Sequence, residues 1–95
     1  MADAWQANLN ARMRSWTDHD IRRFLFRVEL FVERGLPEAR AERTADGLAL
    51  RDQDHDSRRL CIECSHFVRG WKCRRGQAVC MQLMRCEFFN FQTPR

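Results

Sequence analysis

Cys61-Ile-Glu-Cys64 puts two thiols at the spacing from which a tight turn presents two thiolates to one tetrahedral ion. Cys73 follows after eight residues and Cys86 after twelve more, a C-x2-C-x8-C-x12-C pattern. Thiolates are soft ligands, and a closed four-sulfur shell demands no d-electron geometry, so the pattern predicts a structural Zn2+ on Cys61, Cys64, Cys73 and Cys86. An iron–sulfur cluster is the alternative occupant of the same ligands. The choice of four is open. Cys80 lies in Ala78-Val79-Cys80-Met81, an apolar run where a cysteine serves as a small hydrophobe, and is left out, although on spacing it could replace Cys73. His66, two residues past Cys64, is the other alternate, and His55 a more remote one.

A closed sulfur shell leaves no position for an activated water. The chain shows no Ser/His/Asp triad, no carboxylate pair in an evident cleft and no phosphate-cradling glycine loop. The expectation is a binding protein, not an enzyme, with no small-molecule substrate.

Around the third cysteine run Arg69-Gly70-Trp71-Lys72-Cys73-Arg74-Arg75, a basic and aromatic patch that Arg58 and Arg59 extend. Arginine grips phosphates bidentately, and an exposed tryptophan stacks an unpaired base, so the patch predicts nucleic-acid contact. The plainer reading is that these charges neutralise a four-thiolate site while Phe67 and Trp71 fill a miniature core. In the tail, Phe88, Phe89 and Phe91 either pack back on the helices or, with Met81 and Met84, form an apolar surface for a protein partner.

Elements that could position these residues follow from periodicity and charge. Thr17-Asp18-His19-Asp20 is a helix start, with a hydroxyl cap and acids at the positive end of the dipole. Ile21, Phe24, Leu25, Val28, Phe31 and Val32 then mark one helical face, with Arg22, Arg23, Arg27, Glu29 and Glu33 largely opposite. Gly35 suits a left-handed end, and Pro37 the first position of a second helix over 37–52, with a stripe of Ala41, Ala45, Leu48 and Ala49. An earlier short helix over 3–14 would align Trp5, Leu9 and Met13. A helix-turn-helix reading fails because the second helix mixes Arg40, Arg43 and Arg51 with Glu38, Glu42, Asp46 and Asp52 and has no positive face.

Residues 1–56 carry nine Arg against eleven Asp and Glu, a net of −2, whereas 57–95 carry seven Arg and one Lys against two Glu, a net of +6. All five cysteines fall in the second part, an odd number that disfavours a closed disulfide framework. The division predicts two modules, a helical one over 1–56 and a basic four-cysteine one over 57–95. The acids of Asp52-Gln53-Asp54-His55-Asp56 imitate a calcium loop with Glu63 as its twelfth residue, but Ser57 stands where glycine is needed; a solvated linker pairing with Arg58 and Arg59 is expected. At 95 residues one core is marginal without a staple. The start of the sequence lacks a basic flank and an apolar stretch, and no apolar run reaches about 20 residues, so a cytoplasmic chain without membrane contact is expected.

From Glu38 onward the chain resembles small zinc-ribbon-like proteins and protein tails of proteobacterial plasmids, phages and integrative elements. The resemblance rests on Pro37-Glu38-Ala39-Arg40-Ala41-Glu42, Leu50-Arg51-Asp52, Asp56-Ser57-Arg58-Arg59-Leu60-Cys61, Cys64, Trp71-Lys72-Cys73 and Arg85-Cys86-Glu87-Phe88, about sixty residues. It implies Cys61, Cys64, Cys73 and Cys86 as ligands, Cys80 as an extra, and a mobile-element setting near replication or transfer. The expected fold is mainly α: an N-terminal helical hairpin or three-helix unit followed by a small irregular zinc-binding module of ribbon or knuckle type. The expected role is a small accessory zinc-binding protein that contacts nucleic acid or docks on a nucleic-acid-handling complex of replication, transfer or defence. The alternative is a protein–protein adaptor or inhibitor that touches no nucleic acid.

Overall fold

The computed structural model describes residues 16–93, so the helix expected over 3–14 lies outside the described residues. Helix α1 spans Asp18–Glu33, and Thr17 caps it as its sequence foretells. The Asp20 amide donates to the Thr17 hydroxyl at 3.2 Å, and the Thr17 amide donates back to the Asp20 carboxylate at 3.0 Å. This reciprocal pair satisfies two amides that a helix start leaves orphaned. At the other end Gly35 donates to the Val32 carbonyl (3.1 Å) and Leu36 to the Phe31 carbonyl (3.0 Å), with Gly35 at φ +113°. That is the Schellman arrangement, which a residue with a Cβ adopts only under strain.

Helix α2 spans Glu38–Gln53. Pro37 is its N-cap and not its first helical residue: at φ −58° and ψ 149° it stands just outside, and its carbonyl accepts from the Ala41 amide at 2.8 Å. The stripe of small residues is buried as expected at Ala41, Ala45 and Leu48, and α1 packs along it. The face that α1 turns inward is Phe24, Arg27, Leu30 and Phe31, while Leu25 and Val32 are 55% and 44% exposed. The expected face is thus rotated toward Arg27. Phe24, Arg27 and Phe31 are spaced i, i+3, i+7, so a charged residue occupies the centre of the apolar stripe.

After α2 the chain forms little regular structure: a 3-10 turn over Cys61–Glu63 and two short strands, β1 (Phe67–Val68) and β2 (Lys72–Cys73). The strands pair antiparallel, Phe67 opposite Cys73 and Val68 opposite Lys72. The tail then returns beside the cysteine turn through isolated bridges, Arg59 with Met84 and Cys64 with Phe91. Leu60, Ile62 and Phe67 join the same apolar cluster as Phe24, Phe31, Ala41 and Ala45. The change in charge near residue 56 therefore marks no break in the core.

The acidic stretch is only partly a linker. Asp52 and Gln53 close α2, and the Asp52 carboxylate accepts from Arg27 at 2.8 Å, Arg51 at 2.9 Å and Arg23 at 3.2 Å. Asp56 pairs with Arg58 at 2.8 Å as expected. Arg59 makes no ion pair among the described residues; its guanidinium donates to the Asp56 carbonyl at 3.2 Å and lies 4.7 Å over the Phe91 ring.

Candidate metal centre and basic hairpin

The turn that carries Cys61 and Cys64 is fixed from the helices by charged side chains. Glu63, between the two cysteines, is 3% exposed. Its Oε2 accepts from Arg51 Nη1 at 2.6 Å and from the Leu60 amide at 2.7 Å, and its Oε1 has Arg27 Nη2 at 4.0 Å. Arg27 and Arg51 are 7% and 4% exposed, so the two guanidiniums, the buried Glu63 carboxylate and the half-buried Asp52 carboxylate form one network joining α1, α2 and the turn. Burial alone would raise the Asp52 pKa, but hydrogen bonds and charge from Arg27 and Arg51 hold it below the ordinary carboxylate value. On Arg27 burial acts in the opposite direction, again against the charged form, and lowers the pKa despite its acidic partners.

Arg34, just past α1, supplies the second fastening. Its Nη1 donates to the carbonyls of Ile62 (2.8 Å) and Cys64 (2.7 Å), its Nη2 donates to Gln92 Oε1 (3.2 Å), and the guanidinium lies 4.9 Å over Phe67. One cation thus satisfies the carbonyls of the cysteine turn and ties the tail to it. The sequence reading assigned no role to Arg34, and placed Arg27 and Glu63 elsewhere. Two signals pointed to them: Arg27 falls inside the apolar spacing of α1, and an acid between two cysteines needs a cation.

Cys61, Cys64, Cys73 and Cys86 line one small cavity of about 30 Å³, together with Phe67 and Phe89. The His66 amide lies 3.4 Å from Cys64 Sγ and the Arg75 amide 3.4 Å from Cys73 Sγ, both donating. In each case the chain turns so that the amide two residues past a cysteine points back at its sulfur. Cys80 lies outside the lining of that cavity. Its thiol donates to Met84 Sδ at 3.6 Å, and the Cys61 thiol donates to the same sulfur at 3.8 Å. Burial pushes the Cys61 pKa up, and the neighbouring thiols of Cys80 and Cys86 add to the rise, although the Cys80 amide opposes it.

Zinc can be tested against this arrangement. The donors are of the right type, and four cysteines face one cavity. No group of three or more His, Cys, Asp or Glu side chains stands close enough to hold a metal ion among the described residues. The shared cavity, not convergence of the sulfurs, is what the structure contributes. His66 enters through its backbone amide, and His55 is exposed at a left-handed turn of φ 56°.

The basic residues occupy the hairpin and the turn beyond it. Val68 and Lys72 close a loop of Arg69, Gly70 and Trp71, in which Gly70 (φ 84°) and Trp71 (φ 58°) both take left-handed backbone. Positive φ is uncommon for an aromatic residue and turns the Trp71 ring back over the hairpin. There it meets Phe67 edge-on with centroids 5.3 Å apart, yet stays 39% exposed. Phe67 is buried, so of the two aromatics only Phe67 is core. Arg69, Lys72, Arg74 and Arg75 are exposed, and none is ion-paired among the described residues; Arg75 lies 4.5 Å over the Phe88 ring. Phe88 and Phe89 are half-buried, and Phe91 is 43% exposed with its ring edge-on to Phe89 at 4.9 Å. The tail thus stands between its two expected fates, with two rings half-buried and one exposed.

A separate cavity of about 380 Å³ lies between α1 and the tail, with Phe26, Phe91, Arg22 and Arg23 in its walls. No helix among the described residues is long and apolar enough to cross a membrane. Comparisons with protein-family models, curated proteins and solved structures found no match to this chain.

Proposed function

We propose that this chain is a small accessory protein whose cysteine-bearing half holds a structural zinc and presents a basic hairpin to nucleic acid. Cys61, Cys64, Cys73 and Cys86 are the ligands in this reading, since they are the cysteines that line one cavity. Zinc would supply cohesion there and no chemistry on a substrate.

The observation that carries the reading is the difference between two sets of cations. Arg23, Arg27, Arg51 and Arg58 each have a carboxylate within 3.2 Å, whereas Arg69, Lys72, Arg74 and Arg75 have none among the described residues and stand around an exposed Trp71. Cations left without acids on a hairpin tip are available to phosphates, and the ring beside them to an unpaired base. Two measurements test this. Elemental analysis of the purified chain is expected to give one zinc per chain. Fluorescence anisotropy on labelled duplex and single-stranded oligonucleotides is expected to give a log affinity falling linearly with log salt, by about 0.9 per phosphate neutralised on duplex and about 0.7 on single strands. Arg74→Ala with Arg75→Ala should flatten that slope by about 1.5 to 2. Absence of binding at low salt removes the nucleic-acid reading.

The protein–protein adaptor is the second reading, favoured by Leu25, Val32 and Phe91, all more than 40% exposed. A partner held by these residues would be lost on Phe91→Ala and would be indifferent to the Arg74/Arg75 change.

A further inference from the structure

Cys80 and Met84 are not ligands in the zinc reading, yet Met84 brings two cysteine sulfurs against its own. Met84 Sδ receives the Cys80 thiol at 3.6 Å and the Cys61 thiol at 3.8 Å, and the two thiols also interact with each other. Backbone fixes two of the three. Arg59 and Met84 exchange both hydrogen bonds of a β-bridge, at 2.7 and 2.8 Å, which sets Met84 two residues from where Cys61 begins the 3-10 turn. All three side chains are half-buried, screened from water without being sealed off.

A neutral thioether is a poor ligand for zinc and a good one for soft, electron-rich cations such as Cu(I). Metal–sulfur bonds of about 2.3 Å in a flat trigonal array separate the sulfurs by about 4.0 Å, so the observed edges need to open by only a few tenths of an ångström. We propose that Cys61, Cys80 and Met84 form a three-sulfur site for a soft monovalent cation of the Cu(I) or Ag(I) type. On binding to free thiols, two S–H bonds break, two protons leave to solvent, two metal–thiolate bonds and one metal–thioether bond form, and no electron is transferred; where zinc already holds Cys61, the zinc–Cys61 bond and the Cys80 S–H bond break instead and one proton leaves. The set shares Cys61 with the zinc reading but does not depend on it.

The test is an anaerobic titration of the full chain with Cu(I) delivered by a chromophoric chelator, repeated with Ag(I). The first equivalent is expected to be taken by this site: Met84→Leu weakens it at least tenfold, Cys80→Ser by more, and Met81→Leu, a methionine outside the proposed set, leaves it unchanged. X-ray absorption of the one-equivalent complex should show three sulfurs, and two in Met84→Leu. Equal affinity in wild type and Met84→Leu, a conservative change that keeps the fold, overturns the proposal, as does a first equivalent weakened just as much in Met81→Leu. Zinc content measured on the same variants and on Cys73→Ser separates the two readings, since Cys80→Ser and Met84→Leu should retain zinc and Cys73→Ser should not.

Discussion

In α1 and α2 one hydrogen-bond pattern repeats through sixteen residues each, and a stripe of Phe24, Phe31, Ala41 and Ala45 closes the two helices on each other. Residues 57–93 have one 3-10 turn and two two-residue strands, and their position depends on single side chains: Glu63 on Arg51, Arg34 on two carbonyls, Phe67 and Ile62 in the shared core. A hairpin held by periodicity loses little when one contact goes. A half held at points fails at those points. Removing the proposed metal is the largest perturbation this contrast allows, because zinc in small domains carries about 10–16 kcal/mol of binding free energy, more than the whole stability of most domains this size. Chelation is expected to shift Trp71 emission and lower the unfolding midpoint steeply, while much of the helical circular dichroism persists. A midpoint that chelator does not move would erase the distinction between the halves.

Next in size is the ion network that joins them. Glu63→Ala leaves Arg51 and Arg27 buried without that carboxylate, at a cost of about 3–5 kcal/mol in denaturant unfolding. The penalty comes from a stranded charge and not from the strength of the pair. Replacing both partners, Arg51→Met with Glu63→Leu, should therefore recover most of the loss. Arg58→Ala, which breaks an exposed pair with Asp56, is expected to leave the midpoint unmoved, since water and salt already screen it.

The same contrast decides what could be read from residues alone. The Thr17 cap, the Gly35 stop and the small-residue stripe of α2 are local signals, set by neighbours within a turn, and they appear where the sequence places them. The face of α1 shifted because hydrophobicity counts Arg27 as a surface residue, whereas Asp52 and Glu63, 25 and 36 positions later, make its burial favourable. Arg34 is illegible for a related reason: its partners are backbone carbonyls, which every residue offers and no sequence pattern marks. The four cysteines grouped by spacing line one cavity, yet spacing gave no hint that Met84 would collect two thiols, because the Arg59–Met84 bridge that aligns them is long-range.

Gly35→Ala probes the link at its helical end. A Cβ there would meet Trp71 Nε1 at 3.7 Å, ordinary contact, so the cost is backbone strain at φ +113° and amounts to about 1–2 kcal/mol. A larger loss would mean that the indole of the hairpin presses on the end of α1 and that the two halves are more tightly coupled than their separate bonding suggests.

The smallest effect expected is on acid stability, and its sign follows from Asp52. Its folded-state pKa lies below the ordinary value of 3.8, because hydrogen bonds and charge from Arg27 and Arg51 outweigh a burial that would raise it. A carboxyl depressed on folding stabilises the fold above its unfolded pKa, and that contribution is lost as pH falls through the folded one. Asp56 is depressed as well, by its hydrogen bonds to Arg58, but that partner is 49% exposed, where the pair counts for little. Denaturant midpoints measured from pH 6 down to about pH 3 should therefore decline less in Asp52→Asn than in wild type, with Asp56→Asn close to wild type. The reverse order would place the acid-sensitive charge in the linker and leave the buried network without its claim to hold the cysteine turn on the helices.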